Sequence, residues 1–475
     1  MLGLFGTLNL ATRSLATQRG GTEVAGHNLA NVSNPAYARQ RMRIETSVTM
    51  LSELGPQGTG ADGVSIERLR NTLLDGQIVQ EASVLGSLSA QQQALQYAQA
   101  NLGQRIDRQA TGTEGAAAAS GVGGAQGLAE TLTGLFSAFQ SLSTNPTSLT
   151  DRQAVMMKAQ DVATQFNQVS HRLGEVNTLL NRSVESEVDQ VNAAIKDIAS
   201  LNAQIMGVEG AGGLANDLRD ARQQRLEELG KLASITVTES ASGALDITLD
   251  GVAMTAGREV IERLEAYDPG SGQLMLRGQT SGTPINLSSG SLQGTIEARD
   301  GDVALLQTQL NNLASALITR VNAVHSAGYA LDGSTGENIF TGTDAATIGV
   351  NSLLLDQPSR LQASGVAGAV GDNQVVIALA RLSEESQASL GGQRFGDSYN
   401  QAVSRLGSSL ASLNGQIDNE TIVSDMLNRQ RDSVSGVSLD EEMTDLIRFQ
   451  RAFQASARLV STVDEMLEIV VSMKR

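Results

Sequence analysis

Apolar residues recur in alternating steps of three and four at both ends of the chain. From Met443 the series runs through Leu446, Gln450, Phe453, Ala457, Val460, Asp464, Leu467 and Val471, which is the heptad stripe of a helix. Ser438 followed by Glu441 forms a capping-box pattern, with Asp440, Glu441 and Glu442 where the helix dipole favours acids. At the other end Leu4, Leu8, Ala11, Leu15, Gln18, Thr22, Ala25, Leu29 and Val32 show the same alternation. Two terminal helices of one period predict a pair. The N-terminal one carries Gly3, Gly6, Gly20, Gly21 and Gly26, each costing up to about 1 kcal/mol relative to Ala inside a helix, so it depends on a partner. Polar Gln18, Thr22, Gln450 and Asp464 within the stripes set register and partner number. Two readings stay open: assembly elements that order against each other and against neighbouring copies, and two helices of an ordinary intramolecular bundle.

Between the ends the period changes twice. Asn34 before Pro35 stops the first helix near Asn31; Arg41 to Glu45 alternates like a short strand, Gly55 to Gly63 is rich in turn residues, and helix is expected again from about Ser65 to Arg108. Thr111 to Gly127 is small-residue linker. Val155, Ala159, Val162, Phe166, Val169, Leu173, Val176, Leu180, Val184, Val188, Val191, Ile195, Ile198 and Ile205 hold one register over more than fifty residues, a rod of roughly 80 Å. A shorter helix covers Leu214 to Leu232. From Ser234 the period is two, with Asp250-Gly251 as a hairpin turn and further strands near Glu259 to Tyr267 and Gln273 to Arg277. Helix returns from Ile296 to Val324 and again from Tyr399 to Val434, with Gly436 before the terminal helix. The expected fold is mainly α with a β insert: a terminal coiled-coil domain from 1–45 and 437–475, a discontinuous helical bundle from 46–233 and 292–436, and a β insert at 234–291. This nesting brings the ends together and puts the insert on the far side.

Composition narrows the function. A net charge of −17 with four lysines argues against nucleic acid or an anionic membrane as partner, although Arg13, Arg19, Arg39, Arg41 and Arg43 make the first 43 residues basic and attractive to the acidic C-terminal helix. There is no cysteine or tryptophan, and aromatics are 3%, which removes thiol chemistry and leaves little stacking surface. No apolar run approaches a bilayer span, and the start, MLGLFGTLNLATRS, lacks the form of a cleaved signal peptide. His27, His171 and His325 have no metal-site spacing. Gly121, Gly123, Gly124 and Gly127 match no phosphate loop, and Asp332 to Glu337 fits a plain turn better than a calcium loop. No cofactor is expected, and catalysis is disfavoured.

Two stretches carry a family resemblance. His27 to Gln40, HNLANVSNPAYARQ, resembles the N-L-A-N-x-x-T-P-G-Y element of the flagellar rod, hook and hook-associated axial proteins, with Asn34 and Ala36 where Thr and Gly are usual; Gly436 to Met473 resembles their terminal helix. The long helices from Leu128 to Leu232 are similar to the hook-associated branch rather than to the β-rich rod and hook proteins. The resemblance implies a non-enzymatic structural component at the junction of hook and filament, exported through the flagellar type III apparatus without signal cleavage. It also implies partners: further copies of itself, the hook protein, the next junction protein, and an export chaperone on the C-terminal helix. Subunit-interface candidates are Leu4, Leu8, Leu15, Leu29, Asn31, Tyr37, Met443, Leu446, Phe453, Val460, Leu467 and Val471. Another axial protein (hook or rod) and, from a different class, a coiled-coil surface adhesin are the alternatives.

Overall fold

The computed structural model describes residues 3–52, 55–102 and 127–473; the expected linker before Gly127, and the end of the helix expected to reach Arg108, fall outside them. Helix α1 (Leu4–Ala30) ends with Asn31 as its C-cap, as Asn34-Pro35 requires. The chain then doubles back as a two-stranded ribbon: β1 (Gln40–Thr46) pairs antiparallel with β4 (Ala61–Arg68), and β2 (Thr49–Ser52) with β3 (Gly55–Gly58) at the tip. Here the expectation from sequence fails. Ser65 opens no helix; it pairs with Arg43 inside the ribbon, and α2 (Thr72–Asn101) starts only after Asn71, whose side chain caps it. The glycines at 55, 60 and 63 had masked the strands on either side of the turn.

The body is a helical bundle. Pro146 separates α3 (Leu128–Thr144) from α4 (Leu149–Gly210), whose 62 residues make a rod of about 90 Å. The proximal part of α4 packs with α2, α3, α7 (Ala304–His325), α9 (Gln374–Arg381) and α10 (Phe395–Ser435) around one apolar core that includes Phe139, Phe166, Phe340 and Phe395. From Val184 onward the same rod enters a second core, formed with α5 (Asn216–Leu232) and the β insert. The insert comprises β5 (Thr236–Glu239), β6 (Leu245–Leu249), β7 (Val252–Ala253), β8 (Thr255–Ala256), β9 (Glu259–Val260), β10 (Leu264–Tyr267) and β11 (Met275–Gly278). Its hairpin turns on Asp250 and Gly251, at φ 47° and 77°, the left-handed pair that a type I′ turn needs. The insert thus leans on α4 and α5 and shares their core.

Helix α6 (Ser291–Ala298) passes into α7 through one π-helical turn, Arg299–Val303, where the fully buried Arg299 guanidinium bonds Asn181 and Asp300. Short β12 (Phe340–Thr341), β13 (Gly349–Val350), α8 (Ser352–Asp356) and α9 fill the irregular stretch before α10. Close helix crossings depend on glycine: a Cβ at Gly86 would overlap the Lys231 carbonyl oxygen, and one at Gly294 the Ser87 carbonyl oxygen.

Two measurements test this packing. Gly86→Ala overpacks the α2–α5 crossing and is expected to cost about 1–3 kcal/mol in denaturant unfolding, whereas Tyr399→Phe, which deletes a buried hydroxyl without a partner, should leave stability unchanged or raise it. Glu81 of α2 has its carboxyl raised to about 7, first by burial and then by the facing Glu420 of α10. A carboxylate raised in the fold contributes fully below its unfolded value and loses that contribution as pH rises through the folded one. The thermal midpoint should therefore fall from about pH 4.5 to 7 more steeply than in Glu81→Gln.

Candidate assembly interface

The terminal helices meet within one chain. Helix α11 (Leu439–Ser472) packs antiparallel on α1, and the contacts fall in seven-residue steps. Asn28 Nδ2 donates to Glu442 Oε2 at 3.0 Å, Phe449 lies over Gly21, and the Ser14 and Ser456 hydroxyls are 2.9 Å apart. The next step puts buried Val463 level with residue 7. The seam facing α1 is therefore the 442, 449, 456, 463 row. Gln450 and Asp464, read as polar seam positions, are exposed. Gly20 and Gly21 are sockets: a Cβ there would stand 2.7 Å from Met42 Cε and 2.6 Å from the Phe449 ring. Their helix cost is offset by close approach of a side chain, a role that helix propensity alone does not reveal.

At the body end of this pair the expected capping box is replaced by an ion-pair lock. Ser438 makes no side-chain cap. Glu441 and Glu442 instead receive Arg39, from Nη1 at 2.6 Å and Nε at 2.7 Å. Burial works against the Arg39 charge, but the two carboxylates outweigh it and hold its pKa above the usual value. Asn28 is saturated: Oδ1 accepts from the Tyr37 hydroxyl at 2.7 Å and the Gln40 N–H at 3.0 Å, while Nδ2 also donates to the Gln40 carbonyl. Burial, with the charges of Asp217, Asp220 and Glu442, pushes the Tyr37 hydroxyl pKa up, so it remains a donor.

The same segment is clamped to α5. Asp220 accepts the Ala38 N–H at 2.9 Å and the Arg68 guanidinium at 2.8 Å, and lies 3.4 Å from Arg70 Nε. Burial outweighs these donors and raises its pKa. Asp217 receives Gln40 Nε2 at 2.7 Å and pairs with His27 at 3.3 Å. One network therefore joins α1, the ribbon, α5 and α11.

Of the residues singled out from sequence, Leu4, Leu8, Leu15 and Leu29 on α1 and Leu446, Val460 and Leu467 on α11 are half-buried, Asn31 caps α1, and Tyr37 is buried in the network. Met443, Phe453 and Val471 remain open. Asn28, Gln40, Arg68, Arg70, Asp217, Asp220 and Glu442 were not singled out. Asn28 and Gln40 stand inside the quoted N-terminal stretch, and Glu442 in the acidic first turn, but no local pattern says that they converge.

Several titratable groups of the bundle are engaged in packing. His325 is buried between the Glu337 carbonyl and the Gln362 N–H, and burial brings it down to about 4. A groove of about 950 Å³ between α2, α4, α5 and α10 contains Glu187 and Glu227, yet Glu187 accepts from Ser183, Ser291 and Thr295, and Glu227 from Arg431. Among the described residues no group of three or more His, Cys, Asp or Glu could hold a metal ion, and no helix is long and apolar enough to cross a membrane.

The chain is thus a helical bundle closed by a terminal helix pair, with buried ion pairs and hydrogen bonds joining its elements. Residues 120–340 match the family described as flagellar hook-associated protein FlgK helical domain, and 429–473 that of the flagellar basal body rod FlgEFG protein C-terminal. Flagellar hook-associated protein 1 of Bacillus subtilis is 29% identical over 99% of both chains, and that of Escherichia coli 23% identical over 98% of this chain and 99% of its own. The structure of the flagellar hook junction protein FlgK from Burkholderia pseudomallei matches in fold, with a TM-score of 0.62 at 16% identity over 76% of this chain and all of that one. The chain is thus similar over nearly its whole length to flagellar hook-associated protein 1, of a family of structural flagellar proteins.

Removing Glu442 takes from Arg39 the buried one of its two carboxylates and from Asn28 one of the two acceptors of its Nδ2. Glu442→Ala should cost on the order of 2–4 kcal/mol in the terminal pair while the bundle unfolds as before. Hydrogen exchange in the unsubstituted chain should show protection highest at Val24–Asn28 and Glu442–Phe449 and falling toward residues 467–473; the substitution should remove it along α1.

Proposed function

We propose that this protein forms the layer joining hook to filament, with the terminal pair as its assembly element and the bundle and β insert as its outer parts. The observation that carries this is the free end of α11. The seven-residue register sets Leu4 level with residue 466, and beyond that level Ile469, Val470, Val471 and Met473 are all more than half exposed. A helix end with four exposed apolar residues calls for enclosure by other chains.

The division into a terminal pair (1–45, 437–475), a bundle (46–233, 292–436) and an insert (234–291) belongs to this proposal, as do export without signal cleavage and the absence of catalysis. The hook protein and the next junction protein would stack below and above. An export chaperone would cover the apolar side of α11 before assembly.

Deleting the gene should give cells with hooks but no filaments and flagellin shed into the medium. Complementation with Leu467→Asp, which puts a charge into the half-buried edge of the seam, should leave the bundle folded and fail to restore filaments; full motility with that variant would refute the assembly role of the pair.

A further inference from the structure

Among the described residues two apolar surfaces are exposed at the distal end of the terminal pair, and they differ in kind. One is the tip of the β-ribbon, where Val48, Met50 and Leu51 are 76%, 57% and 89% exposed. The ribbon runs along α1: Met42 lies beside Gly20, Ser47 accepts from Arg13, and a Cβ added at Gly60 would stand 3.6 Å from Leu10 Cγ. Its tip therefore points toward the first turns of α1. The other surface is the end of α11, where Ile469, Val470, Val471 and Met473, exposed by 59%, 53%, 71% and 81%, lie on different sides of the helix. Between Val48 and Leu51, and between Ile469 and Met473, there is no charged residue.

We propose that the ribbon tip of one copy covers the apolar end of α11 on a second copy. The proposal rests on the assembly reading above and names a contact within it. Within one chain both surfaces remain exposed, so neither is the other's cover. Because they differ, the contact is heterologous: each copy offers a tip and receives one. Repeated, such a contact generates a ring or a helix in place of a closed dimer. A single contact between patches this small buries less than the roughly 1,200 Å² of a stable interface. Isolated copies therefore remain separate, and the contact holds only where several act together in a layer.

The chain has no cysteine, which allows a direct test. Cells co-expressing Leu51→Cys and Val471→Cys copies are oxidised, and their flagella are isolated. The expected result is a disulfide between residue 51 of one chain and residue 471 of another, at least about tenfold enriched over the same two proteins mixed dilute and unassembled. Flagella that form without this link, or that link only 51 to 51, overturn the contact and leave the assembly reading standing. A Leu51→Cys/Val471→Cys double variant that closes within one chain at high dilution also overturns it. As a second measure, Met50→Ser/Leu51→Ser should keep the thermal midpoint of the purified chain and reduce the incorporated amount several-fold; unchanged incorporation counts against the contact. If the unsubstituted protein enters no flagellar structure, the assembly reading falls, and this contact with it.

Discussion

Everything at the joint depends on one buried carboxylate. Glu442 is reached by residues some four hundred positions earlier in the chain, accepting from Asn28 on one oxygen and from Arg39 on the other. A charge taken out of water is tolerated only with its partners in place, and here those partners are themselves held by Tyr37, Gln40 and, through the neighbouring Ala38 and Asp217, by α5. Once this point is set, the antiparallel register follows in steps of seven, to Phe449 on Gly21 and Ser456 against Ser14. The far ends of the chain are thereby closed on one another, and the ribbon, bundle and insert between them form the nested arrangement that a closed joint imposes.

The molecule changes character along its length. In the bundle, glycines let helices approach to backbone contact, and α4 runs through two apolar cores as a common spine. Polar groups there are consumed locally, as with Arg299 at the π turn and His325 between two backbone groups. Beyond the joint the same chain has a seam between two helices with the ribbon along α1, and the ribbon tip and the end of α11 carry exposed apolar residues. In the assembly proposed above, the bundle would be the rigid outer part and the terminal pair the inner part finished by its neighbours.

The sequence by itself determined the elements whose cause is local. Period and breakers placed α1, the spine helix, α5, α10 and α11, since apolar spacing, Asn34-Pro35 and Gly436 act within a few residues. The Asp250-Gly251 turn was legible for the same reason, and so was the family, carried by contiguous stretches at both ends. Where a local rule had two solutions, tertiary structure decided. Ser438 and Glu441 could have closed a capping box, but Arg39 offers Glu441 a charged partner. Glycines between 55 and 63 suggested turn alone, because pairing with residues 40–52 is not visible in composition. The heptad frame beginning at Met443 follows apolarity, yet the seam runs one residue over, through Glu442 and Phe449, because a polar network and a glycine socket chose the face. Asp217 and Asp220 meet Gln40 and Ala38 only after a strand ribbon and three helices have intervened, and no spacing in the chain records a contact made across that distance.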